Sequence, residues 1–251
     1  MPYYTRDGHK LYYHHHGDGY PIVFIHGYLG TSQSHWGLQL HDTSFSRFQL
    51  IAPDLRGYGK SSIGKRVEKH RTYDHILDLK ELITNTLQLQ QKPIIVGYSI
   101  GGTLALMYEL EFPNSVQGIV LVSPRPFLGE ITRSWNFLAK EKRSGENKSL
   151  VISLLWRVVK RVQKSKTYLS IKWQYMRSSS YLQQLETLDI PIMMIHGNHD
   201  SVNPSVAFRV LKKHLPQAQI IELQSDHGIA HEHPELFNQL LFDFLEQTTS
   251  I

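Results

Sequence analysis

The sequence predicts an α/β fold in which a doubly wound, mostly parallel sheet carries helices on both faces. Short apolar runs rich in β-branched residues alternate along the chain with longer amphipathic stretches. This alternation is typical of parallel strands that are joined by helices. The chain has 251 residues, of which 41% are hydrophobic and 20% are charged. That composition is usual for a globular protein of one or two domains.

Glycine, proline or aspartate bounds most of the predicted strands, as expected for strands buried in a parallel sheet. Pro204 and Pro234 suit the first turn of a helix, where an amide hydrogen is not needed. The strands are predicted at Lys10–His16, Ile22–His26, Phe48–Pro53, Ile94–Tyr98, Ile119–Ser123, Ile192–His196 and Gln219–Leu223, and the helices at Thr72–Gln91, Ile100–Phe112, Pro204–His214 and Pro234–Thr248.

The alternation stops after Ser123 and resumes at Ile190. Because the intervening stretch has mainly helical spacing, we predict a helical cap, residues 124–187, inserted after the sixth strand of the fold and over its C-terminal end. Residues 1–123 and 188–251 then form the core. The cap holds 13 Lys+Arg and 4 Asp+Glu, a net charge of +9, whereas the whole chain carries +5 and the remainder therefore −4. This asymmetry indicates that the insertion has a function of its own.

Several classes of protein are excluded by what the sequence does not contain. It has no cysteine, which excludes disulfides, a thiol nucleophile, iron–sulfur clusters and cysteine-ligated zinc. The histidines between residues 196 and 231 do not complete a familiar metal-binding spacing, so no metal is expected. No apolar stretch approaches the roughly 20 residues of a membrane-spanning helix, and no apolar leader is visible. We therefore expect a cytoplasmic protein with neither a cofactor nor a nucleic-acid partner, and its oligomeric state stays open.

A candidate nucleophile lies in Gly97-Tyr98-Ser99-Ile100-Gly101, which fits G-x-S-x-G directly after a predicted strand and directly before a predicted helix. Such a tight strand-to-helix turn presents a serine, and small flanking residues keep the surrounding chain from clashing with it. The start of the helix directs amide hydrogens at an oxyanion that forms beside Ser99. The amide of Ile100 is one candidate donor, and the amide of Tyr28, after the strand-ending His26-Gly27, is the other.

A serine nucleophile of this kind is followed along the chain by an acid and then by a histidine. Among the 15 histidines, His227 lies between the last predicted strand and the last predicted helix, at the C-terminal edge of the sheet. Asp200 follows the preceding strand, in a loop that can reach His227. Asp226 is adjacent to His227 in sequence, where its side chain would diverge from the ring. We therefore predict Asp200 as the acid and His227 as the base.

Five motifs occur in order along the chain: His26-Gly27, Asp54-Leu55-Arg56-Gly57-Tyr58-Gly59-Lys60-Ser61, the turn around Ser99, Gly197-x-x-Asp200-x-x-x-Pro204 and His227-x4-Glu232-x-Pro234. This set resembles the α/β-hydrolase superfamily in its lid-bearing branch, over nearly the whole chain. The resemblance implies the same nucleophile, acid, base and pair of oxyanion-hole amides. The serine argues against the haloalkane dehalogenase and epoxide hydrolase branches, which use aspartate at that position. Asp226 departs from the family pattern, in which glycine usually precedes the histidine.

The resemblance and the predicted site together imply a serine hydrolase that cleaves a carboxylic ester or thioester through an acyl-enzyme on Ser99. One alternative is a C–C bond hydrolase, or a lyase like that of the menaquinone pathway, whose nucleophile turn is similar. That lyase has an arginine directly after the two glycines, where this chain has Thr103. A further alternative is a signalling receptor or regulator that keeps the same residues for slow turnover.

The predicted cap bears on the substrate. Between Lys148 and Lys164, polar and basic residues share one helical face and apolar residues the other, with Trp156 at the edge. The apolar face either packs on the core or roofs an acyl pocket. The basic face is solvated, attracts an anionic small-molecule acyl substrate, or rests on an anionic membrane surface. Arg125, just beyond the strand that ends at Ser123, and Trp156 are the candidate substrate-binding residues.

Overall fold

An eight-stranded sheet runs through the part of the chain that the computed structural model describes, residues 2–61, 72–125, 179–203 and 205–249. Most strands are short runs of branched apolar residues with both faces covered. In chain order they are β1 (Tyr3–Arg6), β2 (His9–His16), β3 (Tyr20–Ile25), β4 (Phe48–Pro53), β5 (Ile94–Tyr98), β6 (Gly118–Val122), β7 (Ile192–Gly197) and β8 (Gln219–Leu223).

The strand order across the sheet is β1-β2-β4-β3-β5-β6-β7-β8. β2 pairs antiparallel with both β1 and β4, and the five other neighbouring pairs are parallel. The mostly parallel sheet predicted from the sequence is therefore confirmed. From β3 the chain moves to one side to form β4 and then to the other to form β5, so the order reverses between β3 and β5. A crevice opens at such a reversal, outside the carboxyl ends of the strands, and ligands bind there in open α/β sheets.

Helices cover both faces of the sheet. They are α1 (Ser32–Leu40), α2 (Thr72–Lys80), α3 (Ile100–Glu111), α4 (Ser179–Gln184), α5 (Ser205–His214), α6 (Ile229–Glu232) and α7 (Pro234–Thr248), with 3-10 turns at Thr43–Phe45 and Leu185–Thr187. Among the described segments, none is a helix long and apolar enough to cross a lipid bilayer.

Two apolar layers hold these helices on the sheet. Side chains of successive strand residues point to opposite faces, so in β3 Val23 and Ile25 enter one layer while Ile22 and Phe24 enter the other. The first layer packs α2, α3, α4 and α5, and the second packs α1, α6 and α7 around Trp36. Both layers are buried, so the loops at the strand ends rest on a rigid support.

Three local features differ from the sequence prediction. The helix predicted over Thr72–Gln91 extends too far. α2 continues as a π-helical turn at Glu81–Thr86, and the helix ends before Gln88, which has a φ of 50°. β1 was not predicted, since it is a four-residue edge strand paired only with β2. α1 was not predicted either. Its first turn is set by a capping box between Thr31 and Ser34 rather than by apolar periodicity.

The predicted cap falls largely on residues 126–178, which lie outside the described residues, as does Trp156. Its described C-terminal part, residues 179–187, consists of α4 and a 3-10 turn. Leu182 and Leu185 of this part pack into the first apolar layer. The cap as a domain stays a prediction.

A buried ion-pair cluster joins the motif after β4 to α2 and β1. The Arg56 guanidinium donates to both carboxylate oxygens of Asp78, and Arg6 Nε donates to the same carboxylate at 2.7 Å. The side chains of Arg56 and Asp78 are only 2% and 5% exposed. The Asp78 carboxylate thus binds two guanidinium groups, of which Arg6 also pairs with Asp74 at 3.6 Å.

Substitution Asp78→Ala should lower the free energy of unfolding by about 3–5 kcal/mol, because it leaves a buried guanidinium without its counter-charge. The matched control is Glu246→Ala, which removes the exposed pair with Arg47 and should cost less than about 1 kcal/mol. Urea unfolding followed by circular dichroism measures both values. Equal losses for the two variants would contradict the role assigned to the cluster.

Candidate active site

Ser99 lies in a sharp turn between β5 and α3, with φ 54° and ψ −114°. A left-handed φ is costly for a residue with a side chain, so the surrounding packing must impose it. The flanking glycines show how tight the turn is. A Cβ atom at Gly97 would overlap the backbone of Gly101 and Gly102, and one at Gly101 would overlap the Ile25 carbonyl at the end of β3. The G-x-S-x-G pattern is therefore required by close backbone approach.

The loop after β3 lies against this turn. A Cβ atom at Gly27 would be only 2.8 Å from the Tyr98 ring and 3.3 Å from Ser99 Cβ. Tyr28 directly follows Gly27, and Ile100 is the first residue of α3. The first amides of a helix have no partner within it and carry partial positive charge. The two predicted donor residues thus belong to segments that meet at Ser99.

The buried His26 ring holds the peptide that carries the Tyr28 amide. Its Nδ1 lies 2.8 Å from the Gly27 carbonyl oxygen, and its Nε2 accepts the Leu55 amide at 2.9 Å. Burial lowers the pKa of His26 to about 4, so the ring is neutral, with its proton on Nδ1. In a planar trans peptide the Gly27 C=O and the Tyr28 N–H point in opposite directions. The hydrogen bond from His26 therefore sets where the Tyr28 N–H points.

Asp200 and His227, which are far apart in sequence, meet at the carboxyl edge of the sheet. His227 Nδ1 lies 2.7 Å from Asp200 Oδ2, and the Asp200 side chain is fully buried. The other carboxylate oxygen, Oδ1, accepts the amides of Val202 and Asn203 at 2.9 and 2.7 Å. Since an ionised carboxylate only accepts, His227 donates from Nδ1, which leaves Nε2 as an acceptor. The His227 ring also packs on the ring of Tyr98, with 5.0 Å between centroids.

Asp226 has a different set of partners. Its Oδ1 accepts the backbone amides of Ser201 and His227, both at 2.8 Å. Burial alone would raise the pKa of Asp226, but these hydrogen bonds outweigh it and the pKa is lowered. The carboxylate thus binds the backbone of the two loops, whereas the His227 ring is bound by Asp200.

Two further residues at this edge were not predicted as site residues. Ser123, fully buried and with a φ of 44°, donates its hydroxyl to the His227 carbonyl at 2.8 Å. Its own carbonyl accepts the Asn203 side-chain amide at 2.9 Å. Ser123 therefore joins the loop of the acid to the loop of the base. The partners are 80 and 104 residues from Ser123, and the sequence offers no signal for such pairs.

The remaining predicted residues are placed as follows. The Arg125 amide donates to the Ser99 carbonyl at 3.2 Å, so Arg125 follows β6 directly beside the nucleophile turn. The Arg125 carbonyl accepts the hydroxyl of Thr103. Within the described ranges, no three His, Cys, Asp or Glu side chains are grouped so that they could hold a metal ion.

Comparison with known proteins shows that this architecture belongs to a known fold. A family model described as the alpha/beta hydrolase fold matches residues 20–143. The chain belongs to the α/β-hydrolase superfamily.

Relatives within this superfamily cover almost the whole chain. The chain is 26% identical over 268 residues to pimeloyl-acyl-carrier-protein methyl ester esterase of Yersinia enterocolitica, covering 96% of this chain and 99% of the relative. A carboxylesterase structure from Nitrososphaera gargenis superposes with a TM-score of 0.74 at 24% identity, covering 98% of both chains. A meta-cleavage product hydrolase of Pseudomonas fluorescens superposes with a TM-score of 0.71 at 21% identity, covering 96% of both chains. The two structural likenesses concern the fold.

The hydrogen bond between His227 and Asp200 can be tested without a substrate. The Nδ1 proton of His227, held by a buried carboxylate, should give a proton resonance well downfield of the backbone amides. Asp200→Asn should remove this resonance, and Asp226→Asn should leave it in place. Proton NMR with 15N-labelled histidine measures both. If the resonance instead disappears in Asp226→Asn and persists in Asp200→Asn, Asp226 is the partner of the ring.

Proposed function

We propose that this α/β-hydrolase is a serine hydrolase that cleaves a carboxylic ester or thioester and forms an acyl-enzyme on Ser99. The observation that carries the proposal is the buried contact of 2.7 Å between Asp200 and the ring of His227. It orients a histidine beside the strained turn that presents Ser99. The esterase from Yersinia enterocolitica, similar over nearly the full length of both chains, supports an ester as the bond that is cleaved.

The proposed mechanism follows from the hydrogen-bond inventory. His227 Nε2, the acceptor nitrogen, takes the proton of Ser99 Oγ as Oγ attacks the acyl carbon. The amides of Tyr28 and Ile100 bind the resulting oxyanion, and each is worth about 3–4 kcal/mol in the transition state. The imidazolium then protonates the departing alcohol or thiol. Water, activated by the same nitrogen, hydrolyses the acyl-enzyme and restores Ser99.

Asp200 acts through His227. Its carboxylate keeps the ring proton on Nδ1 and stabilises the imidazolium that forms during proton transfer. Two backbone amides and one ring nitrogen bind this carboxylate, so it has little freedom to rotate away. Asp226 does not serve this role, because its Oδ1 accepts the backbone amides of Ser201 and His227.

A C–C bond hydrolase is the second candidate, because a meta-cleavage product hydrolase shares this fold. The lyase alternative expects an arginine after the two glycines. Here the residue is Thr103, and its hydroxyl donates to the Arg125 carbonyl, so no cation is supplied from that position. The receptor alternative differs from both enzymes in its slow turnover, which kinetics on ester, thioester and C–C substrates measure.

The proposed substrate has an apolar acyl chain and an anionic group. The predicted cap carries +9, and a positive surface attracts an anionic substrate over about one Debye length. Arg125 follows β6 at the edge where Ser99 lies. A basic cap that binds an anionic membrane surface is the alternative, and vesicle binding distinguishes the two.

Ser99→Ala should abolish covalent labelling by a fluorophosphonate and lower the kcat on p-nitrophenyl esters by on the order of 10⁶-fold. Asp200→Asn should lower kcat by about 10⁴-fold, because the histidine loses its correct tautomer. Asp226→Asn is the matched control and should cost far less. Mass spectrometry of the labelled peptide and steady-state kinetics on ester, thioester and C–C substrates give these values.

Undiminished ester hydrolysis in Ser99→Ala would refute the acyl-enzyme. Faster turnover of a vinylogous diketone acid than of any ester would favour the C–C bond hydrolase. Labelling of Ser99 with very slow turnover of every substrate would favour the receptor.

Arg125→Ala should raise the KM for an anionic ester and leave the KM for a neutral ester of equal chain length unchanged. Added salt should likewise raise the KM of the unaltered protein for the anionic ester, because surface charges are screened over about 8–10 Å. Steady-state kinetics at low and high ionic strength test both effects. Equal KM values for the two esters at every salt concentration would eliminate the anionic substrate.

A further inference from the structure

His35 is a histidine that the proposed mechanism does not use, yet the loop of the oxyanion hole wraps around it. Its Nδ1 accepts the Gly27 amide at 3.1 Å. On the other side of the loop, a Cβ atom at Gly30 would overlap the imidazole ring. The ring of Tyr98, next to Ser99, packs edge-on against it with 4.7 Å between centroids. The imidazole thus fills the inside of residues 27–30.

The position of His35 is fixed by the contacts that hold the start of α1 on the sheet. It lies in the first turns of α1, whose capping box is closed by Thr31 and Ser34. The amide and hydroxyl of Ser32 both bind Asp54 Oδ1, at 2.9 and 2.6 Å. Asp54 directly follows β4 and is itself buried. His35 is therefore held relative to the sheet, whereas the loop it contacts has no secondary structure of its own.

The protonation of His35 agrees with its role as an acceptor. Burial, helped by the nearby rings of His26, His231 and His227, lowers the pKa of His35 to about 4. At neutral pH the ring is therefore uncharged. Because Nδ1 accepts from Gly27, the single ring proton is on Nε2.

Two neutral imidazoles consequently hold two successive peptides. His35 binds the N–H of the peptide between His26 and Gly27. His26 binds the C=O of the next peptide, whose N–H belongs to Tyr28. Since Gly27 N–H is used by His35, it is not the donor to an oxyanion. The donor in the proposed mechanism is the N–H of the next peptide, that of Tyr28.

We propose that His35 is a positioning residue for the oxyanion hole: by accepting the Gly27 amide and filling the loop, it fixes where the Tyr28 amide points. The proposal rests on the proposed function, because it concerns the same acyl transfer. It predicts a specific kinetic pattern. An oxyanion exists only after attack, so a displaced donor lowers kcat and leaves ground-state binding unchanged.

The test compares two substitutions of similar size. In His35→Asn the side-chain oxygen takes the place of Nδ1 as an acceptor, whereas His35→Leu keeps the branched shape without an acceptor. We expect His35→Leu to lower kcat by about 10²-fold, the cost of displacing a group by about 1 Å, with KM unchanged. His35→Asn should recover most of that loss. The affinity for a trifluoromethyl ketone, which forms an oxyanion on Ser99, should fall in parallel with kcat.

Gln33→Ala is the control, since it removes an exposed side chain from the same helix and should leave kcat and ketone affinity unchanged. Thermal unfolding identifies a variant that does not fold. If His35→Leu fails to fold, His35→Ala replaces it, and imidazole in the buffer should restore kcat by refilling the site. The proposal is overturned if His35→Leu and His35→Asn lose kcat equally, if only KM changes, or if neither variant differs from the unaltered protein.

Hydrogen exchange of the Gly27 amide separates this proposal from the proposed function. The amide should be protected in the unaltered protein and in His35→Asn, and exposed in His35→Leu, whether or not any ester is hydrolysed. An unaltered protein that hydrolyses no ester or thioester but shows this pattern contradicts the proposed function and not the role of His35 in the loop. An unprotected Gly27 amide in an active enzyme contradicts the role of His35 alone.

Discussion

The close approach of three backbone segments at Ser99 is the constraint on which the rest of the site depends. At Gly101 there is no room for a side chain beside the Ile25 carbonyl, and at Gly97 there is none beside the start of α3. β3, β5 and α3 can therefore meet only through glycine. This contact forces Ser99 to a φ of 54° and brings the loop after β3 against it. The strain is supported by the rigid apolar layers on both faces of the sheet.

Loops at the carboxyl edge are held mainly by carboxylates that bind backbone amides. Asp54 binds the start of α1 and the amide of Lys60. Asp226 joins the loops of Ser201 and His227, and Glu232 binds the Asp226 amide at 3.0 Å. Hydrogen bonds from amides to a charged acceptor are stronger than those between neutral groups. Several irregular segments thus reach definite positions without forming regular secondary structure.

The parts of the fold that follow from local chemistry could be predicted from the sequence. Buried strands, the glycine-bounded turn at Ser99 and the loop positions of Asp200 and His227 all have signals within a few residues. The edge strand β1 and the π-helical turn at Glu81–Thr86 lack such signals, and helix α1 has only its capping box, without apolar periodicity. Ser123 and Asn203 could not have been assigned as site residues, because each acts through a hydrogen bond to a distant segment.

The role of an individual histidine could not be predicted from the residue type. The chain has 15 histidines, and His26, His35 and His227 lie at this site with different chemistry. Burial lowers the pKa of both His26 and His35 to about 4. Both are consequently neutral, and both hold the loop after β3 by hydrogen bonds to the backbone of Gly27. His227 instead has a buried carboxylate on Nδ1 and a side chain that is 14% exposed. Since the residue type is the same in all three, only the surroundings that the fold supplies distinguish the histidine that the proposed mechanism uses as its base from the two that hold the loop.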